Sequence, residues 1–379
     1  MRGEPLTRTQ IGRLAKRSAA AVSGAVDLLE HVGLVEVERA ALPSSGGRPA
    51  DRLAIRGDGL EILGLLISPM EHKGFATRLL RADLRGDVVE GSERTWTASD
   101  IAEALERLPE VIAESAHRER ARTLVGVAIP GVVTQDALGQ GSLAMLGPEV
   151  DEPAQIARGL AREGWQSSVL NSEDAAAVGS LLSPQCTAAS VLYVYWGFGL
   201  GSGFAERSDR GYPRTRSGGE VGHMPISLDP STLGGKACYC GSTGCLTMHV
   251  DVIATLQELG FGPSSLEEAL DLADTDPSAN RQLTSMTRLL GAALAGVVNL
   301  MAPDQVVLGG PIFARKPELI ELLAEAVQDR VLAPHSGVGL TADGDATRSS
   351  IVGMIDHARH RYLSSITRGH LDHLEGSVP

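Results

Sequence analysis

Apolar residues in the first 56 positions recur first at helical and then at strand spacing. Ile11 and Leu14 mark a short helix over Leu6 to Lys16, with Thr7 or Thr9 placed to cap it. After a break at Arg17-Ser18, Ser18 reads as the N-cap of a second helix running to about His31. Val22, Val26, Leu29 and Val32 form the apolar stripe of that helix, and Gly33 ends it. Leu34 to Glu38 alternates as a strand. Pro43 to Pro49 is a Gly/Ser/Pro loop carrying Arg48, and Leu53 to Ile55 is a second strand. Two helices at a turn followed by a two-stranded wing is the winged helix-turn-helix pattern. A plain helical cap with a hairpin is the competing reading.

From residue 57 the pattern changes to alternating buried strands and helices. Leu60 to Ile67 and Gly74 to Val89 read as strands, Ile101 to Arg120 as a helix, and Thr123 to Ile129 as a buried strand ending at Pro130-Gly131. Ser168 to Leu170 and Val191 to Tyr195 are further strands, flanking a helical Asp174 to Leu182. Thr284 to Met301 is a long apolar helix and Gln305 to Leu308 a strand. The pattern predicts an α/β body, residues 57–379, in two lobes behind a head of residues 1–56. Glycine-rich turns follow two strands, Gly197 to Gly203 and Gly309-Gly310. By spacing alone each fits a tight turn as well as a phosphate cradle.

Charge separates the two parts. The chain carries a net −13, yet residues 1–56 hold nine basic and six acidic side chains, so the head is +3 and the body −16. A basic head on an acidic body directs any nucleic-acid contact to the head. The second helix would then meet a major groove through Ser18, Ala19, Ala20, Ala21, Ser23 and Gly24. That set lacks the Arg, Asn or Gln needed for bidentate base contacts, although Ala can meet a thymine methyl. Arg13, Lys16 and Arg17 suit phosphates, and Arg48 suits a narrow minor groove. The plain alternative for each is a solvated surface charge. Aromatic residues make up only 3% of the chain, which argues against a single-strand stacking platform. The longest apolar run, about Leu289 to Ala302, suits a buried helix and not a bilayer span. The first ten residues carry no apolar signal core, so a cytoplasmic protein is expected.

Three of the four cysteines fall in Cys238-Tyr-Cys240-Gly-Ser-Thr-Gly-Cys245, with His223 fifteen residues before the first. Three thiolates and an imidazole complete a tetrahedral zinc set and leave no open position for water, which predicts a structural Zn²⁺. A redox reading of the Cys-x-Cys pair is the weaker alternative.

Glu220-Val-Gly-His223 followed by Cys238-x-Cys240-Gly-x-x-Gly-Cys245 resembles the signature of the ROK family of repressors, open reading frames and sugar kinases. The winged head resembles that of the family's repressors. The resemblance spans almost the whole chain. It implies an actin-like, hexokinase-like two-lobed body, a homodimer or homotetramer, and sugar-responsive control of transcription. It also brings departures. The family kinases open their body with an Asp-x-Gly-Gly-Thr phosphate loop, whereas the matching stretch here is Ile67-Ser-Pro-Met-Glu71, so no ATP binding is expected. Their catalytic Asp aligns with Ser172 when the segment is anchored on Ala177-Val-Gly179; a two-residue shift would put Asp174 there instead. Met145 stands where the family uses a sugar-binding Asn, and Thr247 where it uses a Glu.

Effector-binding candidates are therefore Glu220 and His223, with Asn171, Asp174 and His249 as substitutes for the lost sugar ligands. The alternative for Glu220 is a partner that orients His223 toward zinc. Together these features predict a DNA-binding regulator, of repressor type and without enzymatic activity, in contact with a double-stranded operator and a sugar-like or divergent small-molecule effector. A carbohydrate kinase with an added head, and a degenerate scaffold that binds another protein, are the rival readings.

Overall fold

Thr7 and Ser18 set where the two head helices begin. Thr7 Oγ1 accepts the Gln10 N–H at 3.2 Å while Gln10 Oε1 accepts the Thr7 N–H at 2.8 Å, a capping box that starts α1 (Arg8–Ala15). Ser18 Oγ accepts the Ala21 N–H at 3.3 Å and starts α2 (Ala19–His31). A capping Thr needs extended backbone, so Leu6–Thr7 is not helical as expected but a two-residue strand, β1, paired with Arg52 and Leu53. Val35–Glu38 (β2) and Arg52–Ile55 (β3) pair antiparallel and complete a sheet in the order β1-β3-β2. This computed structural model describes residues 5–38, 51–71, 74–133, 141–142, 152–208, 212–215, 219–226 and 236–375. Arg48 and its loop lie outside the described residues.

The expected stripe on α2 divides between two cores. Val22 and Val26 close over Leu53 inside the head. Leu29 and Val32 pack instead on the body core, together with Leu34, which is 2% exposed. The junction is also polar. Arg85 donates to Ile55 O from Nε at 3.3 Å and from Nη2 at 3.2 Å. The head is thus seated on the body through apolar burial and backbone-directed bonds.

The first lobe is a five-stranded sheet. Its strands are β4 (Glu61–Pro69), β5 (Phe75–Asp83), β6 (Arg94–Ala98), β7 (Thr123–Ile129) and, after a two-stranded ribbon of β8 (Val132–Val133) and β9 (Gly141–Ser142), β10 (Gln166–Asn171), in the order β10-β7-β4-β5-β6. β4, β5 and β6 form an antiparallel meander, while β7 and β10 run parallel to β4. Helices α3 (Ile101–Ser115) and α4 (Glu152–Arg162) cover its outer face. The helix expected to reach Arg120 ends at Ser115.

After α5 (Ser172–Leu182), the second lobe repeats the scheme. β11 (Ser190–Trp196), β12 (Leu200–Arg207) and β13 (Pro213–Thr215) form the meander. A helical stretch follows: α6 (Leu246–His249), α7 (Val252–Glu258), α8 (Leu266–Thr275) and α9 (Pro277–Met301). Then come β14 (Gln305–Gly309), α10 (Pro311–Arg315), α11 (Glu318–Gln328) and β15 (Gly339–Ala342), and the sheet order is β13-β12-β11-β14-β15. α9 is apolar because it is the core helix of this lobe, with Leu290, Leu294 and Val298 fully buried.

Two helices lie between the sheets. α5 packs on β11, β12 and β14, and α12 (Ala346–Glu375) packs on β4 and β7. They cross at backbone contact. A Cβ on Gly353 would sit 1.8 Å from Ala175 O, and one on Gly179 2.1 Å from Ser349 O. Only glycine fits either position. From that crossing α12 continues beneath the head, where Tyr362 and Ile366 join the core that holds Leu34.

Candidate ligand cleft and metal centre

The lobes face each other across a cleft of about 380 Å³. Three features build its floor. β10 ends at Asn171, whose Oδ1 accepts the N–H groups of Glu173 at 2.8 Å and Asp174 at 2.9 Å and so caps α5. Asn171 Nδ2 donates to Gly131 O at 2.7 Å, fixing the turn after β7. Asn171 does line the cleft, but its acceptor and one donor are already committed.

Asp174 does not face the cleft. Its side chain turns into the seam between α5 and β12, is 1% exposed, and accepts the Phe204 N–H at 3.1 Å. The expectation of an effector ligand there is corrected: one residue earlier in the same helical turn, Glu173 lines the cleft instead. Ser172 also lines it, and its Oγ donates to Glu173 Oε2 at 2.8 Å. The glycine-rich Gly197 to Gly203 segment explains the swap. It is a tight turn, with Gly197 N–H bonded to Gly199 O at 3.0 Å, running into β12. Gly201 and Gly203 sit on α5: a Cβ on Gly201 would lie 2.8 Å from the Glu173 carboxyl carbon, and one on Gly203 would lie 2.2 Å from Glu173 C. These two glycines make room for α5 and the Glu173 side chain, not for a phosphate.

Glu220 and His223 enter the opposite wall from the short turn before the cysteines. Burial, reinforced by Glu173, pushes the Glu220 carboxyl up to about 7. Burial likewise raises Glu173 and lifts Asp174 well above its ordinary value. Arg78 on β5 and Tyr195 on β11 complete the polar lining, and neither was found from sequence. Arg78 Nη1 donates to Thr347 Oγ1 at the start of α12 at 3.4 Å. His249 is not among the lining residues. Met145 lies outside the described residues. At the rim, Ser68 to Glu71 occupy the place expected of a phosphate loop, and Glu71 Oε1 accepts the Leu266 N–H at the start of α8, joining one lobe to the other.

The metal candidates converge as expected. The donor atoms of His223, Cys238, Cys240 and Cys245 all lie within 4.8 Å of one another. His223 Nδ1 is 3.5 Å from Cys238 Sγ, and Cys240 Sγ is 3.6 Å from Cys245 Sγ, with no disulfide between them. Donors sharing a tetrahedral zinc at about 2.1–2.3 Å stand roughly 3.5–3.8 Å apart, so the set fits that ion. Left-handed turns at Gly241 (φ 85°) and Gly244 (φ 73°) wrap the chain, and Tyr239 meets the His223 ring edge-on at 5.1 Å. Because His223 also lines the cleft, the cluster braces the cleft wall.

In the head, Arg13, Lys16, Arg17, Ser18, Ala19 and Ala21 are exposed and Ser23 is half-buried, so these candidates share the solvent side of α1 and α2. Arg8 pairs with Asp27 at 3.1 Å and holds the two helices together.

Two similar lobes closing on a cleft, with a Cys/His knuckle in one wall and a winged head in front, define the architecture of the chain. A family model described as ROK matches residues 76–361, and the chain belongs to the ROK family. It is 24% identical over 353 residues to the DNA-binding transcriptional repressor Mlc of Escherichia coli, covering 88% of this chain and 84% of that one. It is 27% identical over 262 residues to a kanosamine kinase of Amycolatopsis mediterranei, covering 64% of this chain and 80% of the kinase. A solved ROK family transcriptional regulator, described as a homologue of the E. coli protein, superposes with a TM-score of 0.71 at 22% identity, covering 93% of this chain and 92% of the other. The repressor and the solved regulator match 88% and 93% of this chain, and the kinase 64%.

Proposed function

We propose that this protein is a DNA-binding transcriptional regulator of repressor type, with a small-molecule effector in the interlobe cleft. The observation that carries the reading is the seat of the head. Leu34 lies in the same apolar core as α12, whose first turns line the cleft at Thr347 and Ser350. A ligand that shifts α12 would thus bias the head, to the extent of its differential affinity for the two arrangements.

α2 would enter a major groove with Ala19, Ala21 and Ser23 toward the bases, while Arg13, Lys16 and Arg17 hold phosphates and Arg48 serves the minor groove. A two-fold homodimer, or a tetramer of such dimers, would match a palindromic operator. His223, Cys238, Cys240 and Cys245 would hold Zn²⁺, which ties the knuckle to the cleft wall. Glu220, His223 and Glu173 would bind the effector, with Asn171 fixing the floor. Residues 1–56 serve as the DNA module and 57–379 as the effector and assembly module, in a cytoplasmic protein.

The test is a gel shift of zinc-loaded protein on DNA upstream of its own gene, with excess nonspecific competitor and a salt series. A complex that survives competition supports the reading. One that disappears with competitor and modest salt reflects phosphate contact alone and overturns it.

A kinase reading has one observation in its favour: Glu173 stands 2.8 Å from the Ser172 hydroxyl, at the position of the family's catalytic base. Against it, Glu71 and Leu266 occupy the phosphate-loop side. ADP release from Mg-ATP with a panel of hexoses and amino sugars decides; none is expected.

A further inference from the structure

With the interlobe cleft taken as the effector site, the pairing of its polar groups decides what class of molecule fits there. A polyhydroxylated ligand needs a donor or acceptor from the wall for each hydroxyl it buries. Much of the polar lining is already committed within the protein. Ser202 Oγ donates to Gly219 O and accepts the Val221 N–H at 3.1 Å. Ser350 Oγ donates to Ala346 O at 3.0 Å, and Thr347 Oγ1 accepts from Arg78 at 3.4 Å. Asn171 is taken up by the start of α5 and by Gly131 O. Glu71 is held by the Leu266 N–H, and His223 turns Nδ1 to the thiols. On the floor, Ser172 occupies Glu173 Oε2, while no bond to Glu173 Oε1 is found among the described residues.

Both walls, by contrast, carry apolar side chains. The first lobe presents Leu66, Pro69, Met70, Ala76 and Pro130 to the cleft, and the second presents Phe198, Leu200 and Tyr239. Phe198 is 38% exposed and Tyr239 43%, so two aromatic side chains stand open in a concave site. A ligand ring that enters would take their surface out of water. Each is held by its own segment before any ligand arrives. Phe198 sits at the tip of the turn that Gly197 N–H closes on Gly199 O at 3.0 Å. Tyr239 stands in the knuckle, edge-on to the His223 ring at 5.1 Å. A cleft of about 380 Å³ with apolar walls and a few open polar points suits a ring compound better than a polyol.

We propose that the effector is a small hydroxylated aromatic molecule of one or two rings, with its ring between the two apolar walls and its hydroxyl donating to Glu173 Oε1. The walls supply the affinity through apolar burial and aromatic contact with Phe198. The carboxylate supplies the orientation, since it accepts from the one donor that a phenol-type ligand carries.

Isothermal titration of the full-length, zinc-loaded protein tests it with three probes: 2-naphthol, D-glucose and D-xylose. 2-Naphthol is expected to bind at least about tenfold more tightly than either sugar. Phe198→Ala is expected to weaken 2-naphthol by about tenfold. Glu173→Gln, which keeps the shape of the floor, is expected to weaken it severalfold. Melting curves and zinc content matched to the parent protein show that the variants fold. Equal or tighter binding of a sugar overturns the aromatic assignment and leaves the cleft an effector site. 2-Naphthol binding that either variant leaves unchanged places the ring or its hydroxyl elsewhere and also overturns it. Absence of 2-naphthol binding up to its solubility limit overturns it too. The gel shift of the unliganded protein tests the regulator reading separately, whatever the titrations give.

Discussion

The Cys/His knuckle and the ligand cleft meet at His223 and Tyr239, yet they are built in opposite ways. Three of the four knuckle donors come from eight consecutive residues, and the glycines that wrap them are in the same segment. The cleft draws on β4, β5, β10, α5, β11, β12 and α12, and on a turn near residue 220. A local site depends on its own residues. A site assembled from distant segments depends on the packing that brings them together, and it can keep its shape while exchanging its chemistry. That is what the floor records, with Ser172 standing where the resemblance places the kinases' catalytic Asp and Glu173 beside it lining the cleft.

The largest effect expected from this contrast is at the knuckle. Structural zinc contributes on the order of 10 kcal/mol of binding free energy at neutral pH in small domains. Cys245→Ser should therefore lower zinc content from about one ion per chain toward zero and lower the melting temperature sharply, read by metal analysis and calorimetry. Unchanged stability without zinc would show that the knuckle is not a structural centre. Next comes the crossing of α5 and α12. Gly353→Ala places a methyl carbon against Ala175 O. Overpacking there should cost roughly 3 kcal/mol or more in urea unfolding, and a smaller loss would mean that the helices separate readily.

Asp174→Asn sharpens the distinction between cleft and seam. Burial raises the Asp174 carboxyl well above its ordinary value, so the folded state keeps the proton to higher pH than the unfolded state does. Stability contributed by that proton is present below the unfolded value of about 4 and is lost as pH rises above it. Asn retains an acceptor for Phe204 N–H and carries no charge. The variant should gain on the parent protein as pH rises from about 4 to 8, with ligand binding unaffected. A loss of ligand binding would return Asp174 to the cleft. The smallest effect is at the head: Ser18→Ala removes the N-cap of α2 and should cost about 1 kcal/mol.

The same contrast explains what could be read from the chain. The knuckle was legible because its donor types and spacing are local. The head was legible because Ser18, Gly33 and the valine spacing each mark a boundary. Glu173 was missed because family alignment directs attention to the Asp position and because Asp174 is the more familiar acid. Which of two adjacent residues faces a cleft depends on the rotation of α5 against β12, and that is set by Gly201 and Gly203 thirty residues away. Arg78 and Tyr195 carried no motif. The division of the α2 stripe between two cores was equally hidden, since a helical periodicity does not state which neighbour covers each end.

The proposed regulator reads DNA through α2, with a face of small residues. Ala19 is exposed at the first position of α2, where a carboxylate is tolerated by the helix dipole. Fluorescence anisotropy of labelled upstream DNA, titrated with the parent protein and with Ala19→Glu under excess competitor, tests this directly. The parent is predicted to retain a competitor-resistant complex that Ala19→Glu loses while its melting temperature is kept. Equal retention by both proteins, or no resistant complex with the parent, would contradict the account.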